Sequence, residues 1–184
     1  MSVNNIKLAW DIEKSQVKIR DLSIFIIPEN LAPAKVAAIV EEQDTSLVLG
    51  KPTTISLTED KPSWFLANKL ESQELLQPGS VVTQKGKPGK LLAIIHDLDS
   101  EPTWKREWIS QALDNIFLLT GSLDLNSLQL PVLGAQHGRF ALTEFLSLLC
   151  QKLHAYNGPL KKIWLIVRRD DCPLALSYLK EIGK

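Results

Sequence analysis

The chain alternates between short runs of apolar residues and longer stretches in which apolar residues recur every three or four positions. The short runs are bounded by proline and glycine and predict β-strands, and those that are apolar throughout predict strands covered on both faces. The predicted strands are Ile6–Trp10, Val17–Ile27 with a break near Asp21, Thr53–Leu57, Ser80–Thr83, Leu91–His96, Leu128–Leu133 and Ile163–Val167.

The helical spacing is clearest in the second half of the chain, where strand and helix alternate and predict a three-layer α/β/α fold. The predicted helices are Leu31–Glu42, Trp64–Leu76, Trp104–Thr120, Leu142–Leu153 and Pro173–Ile182. Ligands of such folds bind outside the carboxyl ends of the strands, which directs attention to Asp11, Asn30, His96 and residues 134–140 and 168–171. Asn30 also suits the N-cap of the first predicted helix. We interpret His96 as a hydrogen-bonded structural histidine rather than a general base.

Composition narrows the class of protein. The 184 residues include 21 Lys and Arg and 21 Asp and Glu, so the formal net charge is zero, and 45% of the residues are hydrophobic. A chain this apolar can bury a core and is not mainly disordered, whereas a zero net charge argues against extended nucleic-acid binding. We therefore expect one domain over residues 1–184.

Cysteine usage and hydropathy favour a reduced, cytoplasmic setting. Two cysteines do not make a disulfide framework, and no apolar run approaches the roughly 18 residues that a membrane helix needs. We expect no contact with a membrane. Cys150 and His154 have the spacing of metal ligands on a helix, but no third ligand is evident, so we expect no metal site.

The stretch from Ser127 to Phe140 carries the most specific local signal. A buried strand ends at Leu133, small residues follow, and a helix opens soon after Phe140. Backbone N–H groups and the positive end of the helix dipole would converge there and suit a phosphate group. An ordinary tight turn between strand and helix explains the same residues.

Residues 130–140, LPVLGAQHGRF, resemble the diphosphate loop of the macro domain family of ADP-ribose-binding modules, which commonly reads LPLLGTGHGGL. Residues 78–96 are similar to the family's G-x-V-x-x-T … L-x-x-x-x-I-I-H segment, and the resemblance continues in register to Arg168. It implies a macro-like α/β/α fold with a mixed central sheet and ADP-ribose or a related nucleotide as ligand, without a further cofactor. The diphosphate would lie against Gly134, Ala135, Gln136, His137, Gly138, Arg139 and Phe140.

The first half of the chain is more distant from the family. Asp11 and Ile12 resemble the Gly-Asp-Ile-Thr turn, which would put Asp11 at the adenine. Residues 23–30 are similar to the family's Asp-Ala-Ile-Val-Asn-Ala-Ala-Asn segment, which would put Asn30 at the distal ribose, with residues 33–38 on the glycine-rich turn and following helix. A second alignment puts residues 38–40 on Ala-Ile-Val instead. We prefer the first, because the second replaces a helical pattern with a strand. We expect an insertion over residues 45–77.

Departures from the family pattern bear on function. Pro33, Ala34 and Lys35 stand where the first loop has glycines, although Lys35 or Arg139 would bring charge to the phosphates. The Asp of hydrolytic members aligns with Ala37, so we expect no efficient hydrolase activity. Side chains at Gln136 and Arg139 would oppose left-handed backbone angles.

We therefore expect a module that binds a small-molecule nucleotide or an ADP-ribosylated protein. The alternative is a degenerate macro-like domain without a nucleotide ligand, which acts as a protein-interaction or structural unit with Trp10, Trp64 or Trp104 on a partner face. A third hypothesis is a hydrolase with His137 or Asp97 as an unusual base.

Overall fold

The computed structural model describes residues 10–31, 35–47, 49, 76–136 and 139–183. Seven strands of the described chain form one mixed sheet in the order β1-β2-β7-β6-β3-β5-β4. The strands are β1 (Gln16–Ile19), β2 (Leu22–Pro28), β3 (Ala38–Asp44), β4 (Val81–Gln84), β5 (Gly89–His96), β6 (Ser127–Pro131) and β7 (Lys162–Val167).

Five parallel strands, β2, β7, β6, β3 and β5, form the centre of the sheet, and the two outer strands run antiparallel to them. The carboxyl ends of the five parallel strands therefore meet at one edge, which we call the carboxyl edge. The opposite edge, where these strands begin, is the amino edge. A ligand site of such a sheet is expected at the carboxyl edge.

Three helices follow the last three parallel strands: α1 (Arg106–Ser122), α2 (Leu142–Ala155) and α3 (Cys172–Ile182). Each buries an apolar stripe, for example Ile109, Leu113 and Ile116 in α1. The stripes join alternate strand residues such as Val40 and Leu165 in one hydrophobic core. At its C-terminus α2 is held by Arg20, whose guanidinium donates hydrogen bonds to the carbonyls of residues 154 and 156 and to the side chain of residue 157.

The other face of the sheet is buried as well. Ile27, Leu92 and Ile94 lie on the strand positions that alternate with the core residues, and all three are buried. Burial on both faces explains why these strands are apolar throughout. The fold is the expected three-layer α/β/α arrangement around a mixed sheet. Within the described residues, no helix has the length and apolar character needed to cross a membrane.

The helix predicted over residues 31–42 is wrong, because Ala38–Asp44 forms β3. This strand pairs with β5 along its whole length and begins beside β6, so it lies near the middle of the sheet. The other predicted strands within the described residues are confirmed to within a few residues, including the break near Asp21. The helices predicted from residues 104, 142 and 173 are confirmed too. The strand predicted at Thr53–Leu57, most of Ile6–Trp10 and nearly all of the helix at Trp64–Leu76 lie outside the described residues.

Candidate functional site

A cavity of about 360 Å³ opens at the carboxyl edge between the segments that follow β6 and β7. The segment after β6 is the β6–α2 loop, residues 132–141, of which residues 137 and 138 lie outside the described part of the chain. Both arginines of the lining, Arg139 and Arg168, are exposed at its rim. The cavity is lined by Val132, Ala135, Arg139, Phe140, Ala141, Leu142, Val167, Arg168 and Asp171.

The β6–α2 loop is anchored at both ends. Leu133 and Phe140 are buried, and the Phe140 amide donates a hydrogen bond to the Gly134 carbonyl at 3.0 Å. Gly134 has a φ of +79°, and a Cβ at this position would lie 2.6 Å from the side chain of Ile109. Both observations require glycine here, because a side chain would be strained and would collide with α1.

The exposed part of the loop carries Ala135, Gln136 and Arg139. Arg139 has a φ of +53°, so this non-glycine residue occupies the left-handed region that was expected to be closed to it. This lining residue of the cavity therefore has a strained backbone. His137 and Gly138 were also predicted to contact the diphosphate, and they lie outside the described residues.

Arg168 follows β7 at the other side of the cavity. Its Nε and one terminal nitrogen each lie 2.8 Å from Oδ2 of Asp171. The pair is partly exposed, so it adds little to stability, but it holds the guanidinium against the 3₁₀ turn (Arg169–Asp171) that precedes α3. The chemistry assembled around the cavity is thus the Arg139 cation, the ion pair of Arg168 with Asp171, an apolar floor and the N-terminus of α2.

Glu42 lies beneath the β6–α2 loop and was not predicted as a site residue. Its side chain is only 4% exposed, with Oε1 2.5 Å from Nε2 of His96, and its Oε2 accepts a hydrogen bond from the Gly134 amide at 2.9 Å. The hydrogen bond that was expected for His96 is confirmed. The available signal was the pair of acidic residues at 41 and 42, which form the end of the helix that was predicted over residues 31–42.

Asp44 ends β3 at the same edge and is fully buried. Its carboxylate accepts hydrogen bonds from the amides of Ser46, at 2.6 Å, and Leu49. The next residue, Thr45, donates its amide to the carbonyl of His96 at 2.9 Å. Asp44 therefore fixes the start of the segment after β3, and Thr45 ties that segment to the end of β5.

Asp11, Ile12 and Asn30 lie on the β2 side of the carboxyl edge, and all three are exposed. The indole of the neighbouring Trp10 donates a hydrogen bond to the Ile26 carbonyl, which places this segment beside the end of β2. The hydrogen bonds and charge of Lys14 hold the pKa of Asp11 below its usual range. Asn30 caps no helix of the described part of the chain, since it lies in a turn after β2.

Lys35 and Ala37 do not lie at this edge. They precede β3 and line a cavity of about 470 Å³ at the amino edge, together with Gly86, Lys87 and Pro88. The Ala37 amide donates a hydrogen bond to Ser127 Oγ, at the start of β6. Lys35 was assigned to the ligand site through the first alignment, which depended on the predicted helix, and the cavity at the carboxyl edge includes neither residue.

The cysteines are buried within the helical layer. Burial raises the pKa of Cys150 to about 11, and burial together with the negative charge of Asp171 raises that of Cys172 to about 11. Both thiols are therefore protonated near neutral pH and unsuited to metal binding or nucleophilic attack. The described residues contain no group of three acidic, histidine or cysteine side chains arranged for a metal ion.

The whole structure is similar to solved macrodomains. The Oceanobacillus iheyensis macrodomain with ADP superposes with a TM-score of 0.65 at 18% identity, over 91% of this chain and 95% of that chain. For the macrodomain of Thermus aquaticus DarG the TM-score is 0.58 at 21% identity, over 78% and 97%. The Trypanosoma brucei macrodomain in complex with ADP gives a TM-score of 0.60 at 12% identity, over 85% and 68%. The chain has the macrodomain fold.

No protein-family model and no curated protein matches the chain. Within the macrodomain fold, β3 supports the second alignment considered above. The family segment Asp-Ala-Ile-Val-Asn-Ala-Ala-Asn then runs without a gap over residues 37–44. In this register Asp44 stands at the final Asn, the place that the first alignment gave to Asn30. Glu42 then aligns with an alanine of this segment. Ala37 aligns with the first Asp of the segment, which is not the Asp of hydrolytic members.

Proposed function

We propose that this macrodomain-fold protein binds ADP-ribose, or a nucleotide diphosphate related to it, at the carboxyl edge of its sheet. The observation that carries the proposal is the cavity between the β6–α2 loop and the segment after β7, with Arg139 and Arg168 at its rim. Guanidinium groups and a helix N-terminus are donors that suit a diphosphate. Zero net charge is compatible with this ligand, because the recognition is local.

Structural neighbours supply independent support. The O. iheyensis and T. brucei macrodomains were each solved with ADP, and a variant of the former was solved with ADPR. Their likeness to this chain is one of fold, since all three are under 20% identical to it. The ligand is therefore inferred from the combination of that fold with the cations that this chain brings to its own cavity.

Calorimetric titration with ADP-ribose tests the proposal. We expect saturable binding with a Kd of about 1 mM or below. Arg139→Ala is expected to weaken it about tenfold, because a guanidinium–phosphate hydrogen bond is lost. Lys35→Ala is the matched control, since it removes a cation at the amino edge and should leave affinity unchanged. Absence of heat and of a thermal shift at millimolar ADP-ribose would reject the proposal.

One observation favours a second candidate, an interaction or structural module without a nucleotide. The Gly134 amide points at the Glu42 carboxylate, so this donor of the β6–α2 loop is already engaged inside the protein.

Trp10 and Trp104 are each partly buried and packed against the core, which limits the partner surface that they offer. Trp64 lies outside the described residues. A failed titration with a well-folded protein would support this candidate.

Hydrolysis of ADP-ribosylated protein is a separate question. Ala37 no longer argues against it, because the alignment that placed this residue at the hydrolytic Asp depended on the incorrect helix. We retain the proposal of a binding module without efficient hydrolase activity. Incubation with ADP-ribosylated protein tests it, and release of ADP-ribose above the rate of a buffer control would overturn it.

A further inference from the structure

Glu42 makes an unusual pair of contacts for a carboxylate in the middle of a sheet. One oxygen lies against His96 on β5, and the other accepts the amide of Gly134 on the β6–α2 loop. Glu42 and His96 are 4% and 1% exposed in their side chains. A buried carboxylate is costly unless both oxygens are hydrogen-bonded, and here both are.

The contacts of Glu42 belong to a wider set that joins three segments at the carboxyl edge. The backbone of His96 forms a bridge with Trp104, and the ring of Trp104 meets that of Phe140 edge-on at 5.4 Å. The β6–α2 loop is therefore held at Gly134 by a hydrogen bond from its backbone and at Phe140 by an aromatic contact. His96 lies at the centre of both connections.

We propose that Glu42 is the positioning residue for the β6–α2 loop. Its carboxylate holds the Gly134 amide inward, and this sets the direction in which Ala135 and Arg139 face the cavity. Glu42 acts through the loop and does not touch the ligand. The effect on ligand affinity rests on the function proposed above, whereas the effect on the loop does not.

The contact with Glu42 changes which hydrogen-bond donors the β6–α2 loop can offer to a ligand. A carboxylate that accepts the Gly134 N–H removes this group from the donors offered to a phosphate. Among the described residues that line the cavity, the donors left to the ligand are the exposed positions after Gly134, the N-terminus of α2 and Arg168. Within the β6–α2 loop, Glu42 thus restricts the phosphate contacts to the positions after Gly134.

The test compares Glu42→Gln, Glu42→Ala and the control Glu41→Ala. Glu41 is the adjacent residue, faces the opposite side of the sheet and pairs with Lys90 at the surface. The first measurement is the NMR signal of the Gly134 amide and its hydrogen exchange, without ligand. The second is the Kd for ADP-ribose.

We expect the Gly134 amide proton to move upfield in Glu42→Gln, because a neutral acceptor makes a weaker bond than a carboxylate, and further in Glu42→Ala. Its exchange in Glu42→Ala should accelerate about tenfold or more. ADP-ribose affinity should fall about tenfold in Glu42→Ala and be partly restored in Glu42→Gln. Glu41→Ala should match wild type in both measurements.

A wild-type Gly134 amide signal in both Glu42 variants would overturn the proposal. So would equal affinity of Glu42→Ala and wild type for ADP-ribose. If Glu42→Ala does not fold, the chemical shift of the Gly134 amide proton in Glu42→Gln tests the proposal by itself. If wild type binds no ADP-ribose, the proposed function fails, and the amide measurements still decide the role of Glu42.

Discussion

Gly134 lies directly against Ile109, and a Cβ built on the glycine would come within 2.6 Å of the Ile109 Cδ1 atom. Gly134→Ala should therefore lower the free energy of unfolding by about 1–3 kcal/mol, through overpacking and a left-handed backbone. The measurement is urea unfolding. Gly121→Ala is the control, because nothing lies within 4 Å of a Cβ at that helical position. It should instead stabilise the protein by about 0.5–1 kcal/mol.

Arg139 has a left-handed backbone that glycine adopts without strain. Arg139→Gly should raise the free energy of unfolding by up to about 1 kcal/mol while it removes the cation from the cavity. Arg139→Ala removes the same charge and keeps the strain, so it should show no such gain. Equal stability of the two variants by denaturant unfolding would contradict the strained conformation.

The helix predicted over residues 31–42 shows what local sequence can and cannot decide. Alanine, leucine, lysine and glutamate favour a helix by intrinsic propensity. The strand is decided by distant partners, since Val40 enters the core and Glu42 meets His96, which is 54 positions later in the chain. The elements predicted in the second half depend on strong local periodicity and short-range turns, and they are confirmed.

The candidate site was predictable to the same extent as the elements around it. The position of the β6–α2 loop follows from a strand, a glycine and a helix that are adjacent in sequence. Lys35 was assigned to the site by the first alignment, which was preferred because of the incorrect helix, and it lies at the amino edge. Glu42 was missed because an acidic residue is expected at the surface unless its buried partners are known.

Tyr156 connects α1 to the segment before β7. Its hydroxyl lies 2.8 Å from Thr120 Oγ1 and accepts the Leu160 amide at 3.1 Å. Tyr156→Phe leaves that amide without its acceptor and should cost about 1–2 kcal/mol of unfolding free energy. Thermal unfolding compared with Tyr178→Phe provides the check, because the Tyr178 hydroxyl has no hydrogen bond to a described residue. A similar loss in both variants would rule out the hydrogen bond as the cause.

Stability at high pH should depend on the two buried thiols. Their pKa is about 11 in the folded protein against an ordinary value of 9.0, so folding favours the protonated form. This contribution is complete below pH 9 and is lost as the pH rises towards 11. The difference in unfolding free energy between pH 8.5 and 10.5 should shrink in Cys150→Ala/Cys172→Ala. An unchanged difference would show that other groups govern the alkaline transition.

The anchoring of the β6–α2 loop also has a consequence for protein engineering. Leu133 and Phe140 are buried at the two ends, and the Gly134 amide is bound to Glu42. Ala135, Gln136 and Arg139 lie between these anchors with exposed side chains. A library randomised at these three positions should retain the fold, because the anchoring residues are unchanged. Variants with a different ligand preference can then be selected from this library.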